Sequence, residues 1–369
     1  MKFQSLGSLI SVFSIICSVS MAQAEIKVGI AGPLSGSSIS VGEQQEIGAQ
    51  VAIDHLNDEG GLLGEKIVPI SVDDACEPRP AEAAARLLVK EGVIFVVGHM
   101  CSSSALAASR IYEEAGIIMI TPAASNPKIT DEGGPNVFRA NGRDDQQGII
   151  AGNYLAENFS NKNIAIIHDG QTYGMGLAEF TKRQLNKHGV TEVLFDSYRH
   201  DQRDYNSIAE KLANKKTDVL YAGGYLNDIA IIIRQAKKKL PNLRLVSGDA
   251  IANAEFMFIA GEAGTGTYFT FGRDLRSSPE TRTVVSFFRD DYGYEPEGYT
   301  LYSYGVVQAW AQAVKQADSL KPNAVINALR EGSFDTVLGK IGFDEKGDIT
   351  GVSNFVWYVF GKEEYSLAD

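Results

Sequence analysis

The sequence predicts an α/β fold made of two doubly wound parallel-sheet lobes. Short runs rich in isoleucine and valine, with little polar alternation, recur along the chain and are typical of strands that are buried on both faces. Helical patterns with one apolar face separate these runs, and the strand-helix alternation occurs in two successive series. A chain of 369 residues is also long enough for two domains of ordinary size.

The first series begins near residue 26. We predict its strands at residues 26–31, 66–72, 93–97 and 117–121. The helix after the first strand carries its apolar residues on one face, at Ala49, Ala52, Ile53 and Leu56. It should end at Gly60-Gly61, because glycine favours the backbone conformation that closes a helix.

The second series follows directly. We predict strands at residues 164–168, 193–195, 218–222 and 243–247, and helices at residues 146–159, 177–187, 205–214 and 228–239. In the tail we predict amphipathic helices at 281–292, 300–317 and 323–330, and a last strand at 355–360. The pattern alone leaves two alternatives open, because the tail helices form either a third small domain or a cover over the first lobe.

Residues 1–24 have the composition of a secretory signal peptide. Lys2 precedes an apolar stretch at residues 6–19, and Ala22-Gln23-Ala24 fits a cleavage site. The apolar stretch is too short to span a membrane. We therefore expect an exported protein whose mature chain begins at residue 25.

The charge of the chain argues against a nucleic-acid partner. The formal net charge is −12, and removal of Lys2 with the signal peptide makes the mature value −13. Phosphate binding requires clustered lysine and arginine, and the one basic run, Lys237-Lys238-Lys239, ends a helical pattern where cations suit the helix C-terminus.

Enzyme and cofactor motifs are also missing from the sequence. The glycines near Gly170 and Gly261 lack the spacing of a dinucleotide fingerprint, and no Gly-x-Ser-x-Gly elbow occurs. No His or Cys spacing suggests zinc, and Asp73-Asp74 is better explained as part of a turn than as a metal site. We expect no cofactor and no metal.

The cysteines are informative because only Cys76 and Cys101 remain after signal removal. Two thiols in an oxidising compartment normally pair. The alternative is a nucleophilic Cys101 activated by His99, but the sequence shows no third group to orient the histidine, and a paired sulfur cannot attack a substrate.

Residues that follow the strands are candidates for a binding site, since ligands of open parallel sheets bind beyond the carboxyl ends of the strands. Ser102, Ser103 and Ser104 open a helix after the third strand, where free N–H groups and the helix dipole favour an anion such as a carboxylate. The alternative is that one serine merely caps the helix. In the second lobe, Tyr225 and Asp249 follow strands and would contribute an aromatic ring and a carboxylate to the site. The alternative is that Tyr225 only packs against a helix and that Asp249 is a turn residue.

Several motifs occur along the whole mature sequence: Gly32-Pro33-Leu34-Ser35-Gly36, Asp73-Asp74-Ala75-Cys76, Gly98-His99-Met100-Cys101-Ser102-Ser103-Ser104, Met119-Ile120-Thr121-Pro122-Ala123-Ala124, Gly223-Gly224-Tyr225 and Asp344-Glu345-Lys346-Gly347-Asp348. In these motifs the chain resembles the periplasmic leucine/isoleucine/valine-binding proteins of bacterial ABC transporters. The resemblance implies a type I periplasmic binding fold with two lobes joined by a three-strand hinge. Its implied lobes are residues 25–142 plus 274–350 and residues 143–273 plus 351–369, and it implies a disulfide between Cys76 and Cys101.

The resemblance also implies how a ligand is held. The ligand carboxylate would be bound by Ser102 and by backbone near Ala123 and Ser125, and its ammonium by the Ala123 carbonyl, the Ser125 hydroxyl and Asp249. Asp249 is the one acid in this set. Tyr225 would close over the ligand from the second lobe.

The aliphatic side chain of the ligand would contact four residues: Val41, Met100, Cys101 and Tyr299. Familiar family members have threonine, glutamate, tyrosine and phenylalanine where this chain has Ser125, Asp249, Val41 and Tyr299. The head-group chemistry is kept, because serine retains the hydroxyl and aspartate the carboxylate. These four differences leave open which ligand side chain the protein prefers.

Together these features predict a monomeric, non-enzymatic, periplasmic solute-binding component of an amino-acid ABC transporter. Its partners would be a small zwitterionic ligand, leucine, isoleucine or valine, and an inner-membrane permease. One alternative is a periplasmic sensor for another amino acid or a small amide. A more remote one is a secreted hydrolase that uses Ser102 or Cys101 with His99.

Overall fold

The computed structural model describes residues 25–352 and 355–368, and it confirms the predicted α/β fold. The predicted signal peptide, residues 1–24, lies outside the described residues. The helices are α1 Ile39–Asp58, α2 Pro78–Glu91, α3 Ser102–Ala115, α4 Lys128–Asp131, α5 Asp144–Phe159, α6 Thr172–Lys187, α7 Asn206–Asn214, α8 Leu226–Ala236, α9 Glu255–Ala260, α10 Arg282–Asp291, α11 Thr300–Ala317 and α12 Pro322–Glu331.

The strands are β1 Glu25–Gly32, β2 Lys66–Asp73, β3 Phe95–Gly98, β4 Ile118–Thr121, β5 Val137–Arg139, β6 Ile164–His168, β7 Leu194–Ser197, β8 Val219–Gly223, β9 Arg244–Ser247, β10 Tyr268–Phe271, β11 Phe334–Thr336, β12 Gly339–Phe343, β13 Ile349–Thr350, β14 Val356–Phe360 and β15 Tyr365–Leu367. The eight strands predicted in the two series are all present within a few residues of their expected bounds.

The first sheet is parallel throughout, with the strand order β2-β1-β3-β4-β5. β3 and β4 are buried on both faces, which explains their unbroken apolar sequences. β5 is a three-residue strand that the sequence analysis missed, because so short a segment shows no periodicity.

The second sheet has the order β15-β14-β10-β9-β8-β6-β7. The strands from β10 to β7 run parallel, whereas β14 pairs antiparallel with β10 and β15 antiparallel with β14. The predicted last strand is therefore an antiparallel addition to a parallel sheet. Parallel neighbours in a sheet require a crossover connection, usually a helix that packs on the same sheet. The chain between β10 and β14 instead passes through the first lobe, so β14 can pair antiparallel with β10.

The tail helices cover the first sheet and do not form a separate domain. The indole of Trp310 on α11 stacks on the ring of Phe95 on β3, with centroids 4.5 Å apart and planes 7° apart. α11 also approaches α1 closely, since a Cβ on Gly48 would lie 2.1 Å from the Thr300 carbonyl oxygen. The sequence analysis missed the small antiparallel sheet β11-β12-β13 that follows α12.

Three segments connect the two lobes, between β5 and α5, between β10 and α10, and between β13 and β14. A buried ion-pair network lies beside them. The fully buried Arg139 donates from Nε to Asp348 at 3.0 Å, and Arg143 donates to the same carboxylate at 2.8 Å. Burial would raise the pKa of Asp348, but the two guanidinium groups and the Thr130 hydroxyl hold it below its ordinary value.

The predicted disulfide between Cys76 and Cys101 is present, with Cα atoms 5.3 Å apart. It joins the loop after β2 to the residue that precedes α3. The bond closes a loop with a sequence separation of 25 residues. In the chain-entropy model a loop of this length stabilises the folded state by about 3 to 4 kcal/mol.

We predict that the double substitution Cys76→Ala/Cys101→Ala lowers the free energy of unfolding by about 3 kcal/mol, because the unfolded chain regains the freedom of the open loop. Equilibrium denaturation of protein lacking residues 1–24 measures the loss. A thiol titration of the same wild-type protein under denaturing conditions should find no free thiol. Two titratable thiols, or an unchanged unfolding free energy, would contradict the disulfide.

Candidate functional site

A cleft of about 280 Å³ lies beyond the carboxyl ends of strands from both sheets. Its lining residues are Val41, Met100, Ser102, Ala123, Ala124, Ser125, Tyr173, Tyr225, Asp249, Ala250 and Tyr299. The structure therefore brings together all the predicted binding residues except Cys101. Cys101 is fully buried in the disulfide and does not line the cleft.

Ser102 is the first residue of α3 and is 1% exposed. Its hydroxyl oxygen accepts the Asn126 N–H at 3.3 Å. Ser103 donates instead to the Cys76 carbonyl, at 3.3 Å, and does not line the cleft. No serine caps α3, because Cys101 occupies the N-cap position and no side chain bonds there. The capping explanation of Ser102 was therefore wrong.

Ala123 and Ser125 belong to a loop that the side chain of Thr121 organises. The Thr121 hydroxyl oxygen accepts the N–H groups of Ala123 and Ala124, at 3.3 and 2.9 Å, and donates to the His99 carbonyl at 2.8 Å. The ends of β3 and β4 are thus held together. Ala123 lines the cleft, and its carbonyl accepts a hydrogen bond from the Asn141 amide.

Asp249 is the negatively charged group of the cleft and is 2% exposed. Its carboxylate accepts hydrogen bonds from the Gln147 amide at 2.9 Å, from the Tyr173 hydroxyl at 2.7 Å and from the Tyr299 hydroxyl. Burial raises the pKa of Asp249, and the three donors oppose that rise. The donors also fix the direction in which the carboxylate points.

Two of these donors were not predicted as site residues. The predicted helix began at residue 177, but α6 begins at Thr172, so Tyr173 lies in its first turn. Gln147 lies inside α5, where a polar residue resembles an ordinary exposed one, although it is fully buried. Tyr299 lines the cleft as predicted, and its hydroxyl contributes a polar contact that the sequence did not indicate.

The apolar lining of the cleft includes two residues of the first lobe. Val41 on α1 and Met100 after β3 are 6% and 4% exposed. Tyr225 lies opposite them as the residue before α8, with its ring centroid 5.3 Å from that of Tyr173. The lining of the cleft thus contains apolar side chains together with a carboxylate and hydroxyls.

The two lobes touch each other around this cleft. The Asn126 amide donates to the Thr172 carbonyl at 2.9 Å, and the Asn227 amide donates to the Ser37 carbonyl. His200 lies 3.3 Å from the Glu77 carboxylate. These contacts join residues far apart in sequence and hold the lobes in a closed arrangement.

The sequence showed no group that would orient the His99 ring, and the structure corrects this expectation. Its Nδ1 atom lies 2.6 Å from an Asp74 oxygen, and its Nε2 atom lies 3.0 Å from the Tyr112 hydroxyl. Both ring nitrogens therefore have partners, and the Cys101 sulfur is in a disulfide. We conclude that the histidine fastens the Met100-Cys101 loop to β2 and α3, and that it does not activate the cysteine.

Asp73 forms a turn with its neighbours, as predicted. Its carboxylate accepts the N–H groups of Leu34 and Ala75 at 2.8 and 2.9 Å, and the Ser35 hydroxyl at 2.5 Å. In the described part of the chain, no group of three or more His, Cys, Asp or Glu side chains is arranged to hold a metal ion. No helix within residues 25–352 or 355–368 is long and apolar enough to cross a membrane.

A larger cavity of about 670 Å³ lies beside the hinge. Its lining includes Asn141, Phe271, Tyr302 and Phe355 as well as Asp249 and Tyr299, which it shares with the cleft. We call it the hinge cavity. Only the two shared residues were predicted to bind ligand, so the cleft matches the predicted chemistry better.

The chain is similar to known proteins along most of its length. A family model described as periplasmic binding protein matches residues 25–360. An amino acid binding protein of Pseudomonas aeruginosa is 42% identical over 340 residues, which cover 91% of this chain and 90% of that protein. Leu/Ile/Val-binding protein homolog 1 of Brucella suis is 41% identical over 357 residues, with 96% of each chain covered.

A similar fold is found among solved structures. The branched-chain amino acid transporter substrate binding protein LivJ from Streptococcus pneumoniae, solved in complex with isoleucine, superposes with a TM-score of 0.82 at 25% sequence identity. The match covers 93% of this chain and 98% of that one. The agreement therefore extends over both sheets.

Proposed function

Because the chain belongs to the periplasmic binding protein family, we propose that it is the solute-binding component of an amino-acid ABC transporter and that it binds leucine, isoleucine or valine between its lobes. The observation that carries this proposal is the polarity of the cleft. Its lining combines a carboxylate and hydroxyls, from Asp249, Ser102 and Ser125, with the apolar side chains of Val41 and Met100. An α-amino acid with an aliphatic side chain combines charged and apolar groups in the same way.

The polar groups of the cleft suit a zwitterionic head group. We propose that the ligand carboxylate accepts hydrogen bonds from Ser102 and from backbone near Ala123 and Ser125. The ligand ammonium donates to the Ala123 carbonyl, the Ser125 hydroxyl and Asp249. A buried ammonium requires a negative partner, because an unpaired buried charge is far costlier than a paired one. Asp249, held by three donors, is ready to supply that charge.

The apolar side chains of the cleft suit a branched ligand side chain. We propose that Val41, Met100 and the rings of Tyr225 and Tyr299 enclose it. The disulfide places Cys101 behind Met100, and its role is to hold this loop. The names of the relatives support the same ligand class, since the Brucella protein is called a Leu/Ile/Val-binding protein homolog.

We further propose how the protein acts in transport. The lobes comprise residues 25–142 plus 274–350 and residues 143–273 plus 351–369, and they close about the three connecting segments. Hinge closure of this kind is a known behaviour of periplasmic binding proteins. The protein is exported to the periplasm after removal of residues 1–24, acts as a monomer without catalysis, and delivers its ligand to an inner-membrane permease.

The first prediction concerns the carboxylate end of the cleft. Ser102→Ala should weaken leucine binding by about 1.5 to 3 kcal/mol, the usual contribution of a hydrogen bond to a charged group. Ser103→Ala is the matched control, because the Ser103 hydroxyl donates to the Cys76 carbonyl and does not line the cleft. Calorimetric titration measures both affinities. If Ser102→Ala loses stability but keeps its affinity, Ser102 is only a structural residue.

The second prediction concerns the amine. Asp249→Asn should fold and close but lower affinity for leucine by about 2 to 5 kcal/mol, because the ammonium loses its charged partner. A branched carboxylic acid that lacks the amine should be unaffected. Asp228→Asn is the control variant, since Asp228 is a buried acid that accepts from Tyr205 outside the cleft. Equal losses for both ligands would show that Asp249 does not face the amine.

The third prediction concerns the side chain. Leucine, isoleucine and valine should bind more tightly than glycine, with each buried methylene contributing about 0.8 kcal/mol. Titration of the wild-type protein with a panel of amino acids tests this order. A panel in which glutamate or lysine binds most tightly would rule out a branched-chain pocket.

A further inference from the structure

The side-chain amide of Gln147 is held behind Asp249 by two donors and one acceptor. Its Oε1 atom accepts the Asp249 backbone N–H at 3.2 Å and the Thr270 hydroxyl at 2.9 Å, and its Nε2 atom donates to the Asp249 carboxylate at 2.9 Å. A backbone N–H only donates and an ionised carboxylate only accepts, so these partners fix which way the amide faces. All three residues are buried.

Glycine at position 248 leaves the room that this arrangement needs. A Cβ on Gly248 would lie 2.6 Å from the Gln147 Oε1 atom and 2.7 Å from the Tyr173 hydroxyl oxygen. Both distances are shorter than van der Waals contact, so a side chain at this position would push both groups away. Gln147 and Tyr173 can therefore both donate to the Oδ1 atom of Asp249.

Thr270 supports the amide from a third element. It lies on β10, the strand that leads into the second connecting segment, and it is fully buried. Thr270 is not among the residues that line the cleft, so it acts on a ligand only through other side chains. A buried hydroxyl is costly unless it is hydrogen bonded, and the Thr270 hydroxyl bonds to Gln147.

The charge of Asp249 depends on these contacts. Burial raises the pKa of Asp249, and the Gln147 hydrogen bond is one of three side-chain contacts that oppose the rise. Without the Thr270 hydroxyl, the Gln147 oxygen would keep only the Asp249 N–H as a donor. The amide would then be held less firmly, and its hydrogen bond to the carboxylate would weaken.

We propose that Thr270 is a positioning residue for amine recognition: through Gln147, it holds the Asp249 carboxylate in the orientation that meets the ligand ammonium. This inference rests on the proposed function, since it requires a ligand with an ammonium group. It assigns to β10 a residue that affects ligand specificity without contacting the ligand.

Calorimetric titration of the mature protein with leucine tests this role. Thr270→Val keeps the shape of the side chain and removes the donor, so it should weaken leucine binding about threefold to tenfold, the effect of one neutral hydrogen bond. Thr270→Ser returns the hydroxyl and should restore most of the affinity. A serine variant as weak as the valine variant would overturn the role of the hydroxyl.

Thr267→Val is the matched control. Thr267 is a buried threonine that directly precedes β10, and its hydroxyl has no hydrogen-bond partner among the described residues. This variant should bind leucine as the wild-type protein does. If it loses as much affinity as Thr270→Val, the loss comes from the packing of the strand, and the role of the Thr270 hydroxyl is disproved.

A ligand without the amine separates positioning from general damage to the site. 4-Methylpentanoate has the carbon skeleton of leucine but no ammonium group, and its affinity is measured directly or by competition with leucine. Wild-type protein and Thr270→Val should bind this acid equally, because it brings no positive charge to Asp249. Equal losses for leucine and the acid would contradict the proposal.

A double-variant cycle tests the route through Gln147. Gln147→Leu should weaken leucine binding more than Thr270→Val does, because it removes a hydrogen bond to a charged group. In the Gln147→Leu background, Thr270→Val should cost no further affinity, since no amide is left to hold. Additive losses would show that Thr270 does not act through Gln147. If circular dichroism shows that Thr270→Val is unfolded, Thr270→Ala replaces it in every comparison.

Failure of this inference is distinct from failure of the proposed function. If leucine binds wild-type protein and Asp249→Asn weakens the binding while Thr270→Val does not, the role of Thr270 is disproved and the proposed function stands. If leucine does not bind wild-type protein, the proposed function itself fails.

Discussion

A carboxylate buried where two lobes meet is the constraint on which the site depends. Asp249 is 2% exposed, and an isolated charge at such a depth would destabilise the fold strongly. Its donors come from three separate elements: Gln147 on α5, Tyr173 on α6 and Tyr299 before α11. The first two belong to the lobe that carries Asp249, and Tyr299 belongs to the other. Closure of the lobes therefore completes the set of hydrogen bonds that holds the charge.

The first lobe supplies a rigid counterpart to this charge. The disulfide, the Asp74-His99 contact and the Thr121 hydroxyl hold the ends of β2, β3 and β4 together. These ends carry Ser102 and Ala123, so their hydroxyl and carbonyl groups keep a fixed spacing. Beside the hinge, Asp348 forms ion pairs with Arg139 and Arg143. Asp348 directly precedes β13, so these ion pairs link the first connecting segment, after β5, to the strand that precedes the third connecting segment. Rigid loops and a small number of connecting segments are what a hinged binding site requires.

The predictions from sequence were most successful where burial leaves a pattern. Strands buried on both faces gave continuous apolar runs, and the carboxyl-end rule placed Ser102 and Asp249 in one cleft. The strands β5 and β11 to β13 escaped detection because their short sequences, VFR, FDT, GKIGF and IT, contain no continuous apolar run of four or more residues. Gln147 also escaped, since a polar residue in a helix is normally exposed, and only the packing of α5 within the second lobe buries it.

The most direct test of the account is a crystal structure of the mature protein with leucine bound. The account predicts the ligand in the cleft, with its ammonium nitrogen about 2.7 to 3.2 Å from an Asp249 oxygen and from the Ala123 carbonyl, and its side chain against Val41 and Met100. Leucine in the hinge cavity, or an ammonium group turned away from Asp249, would contradict it.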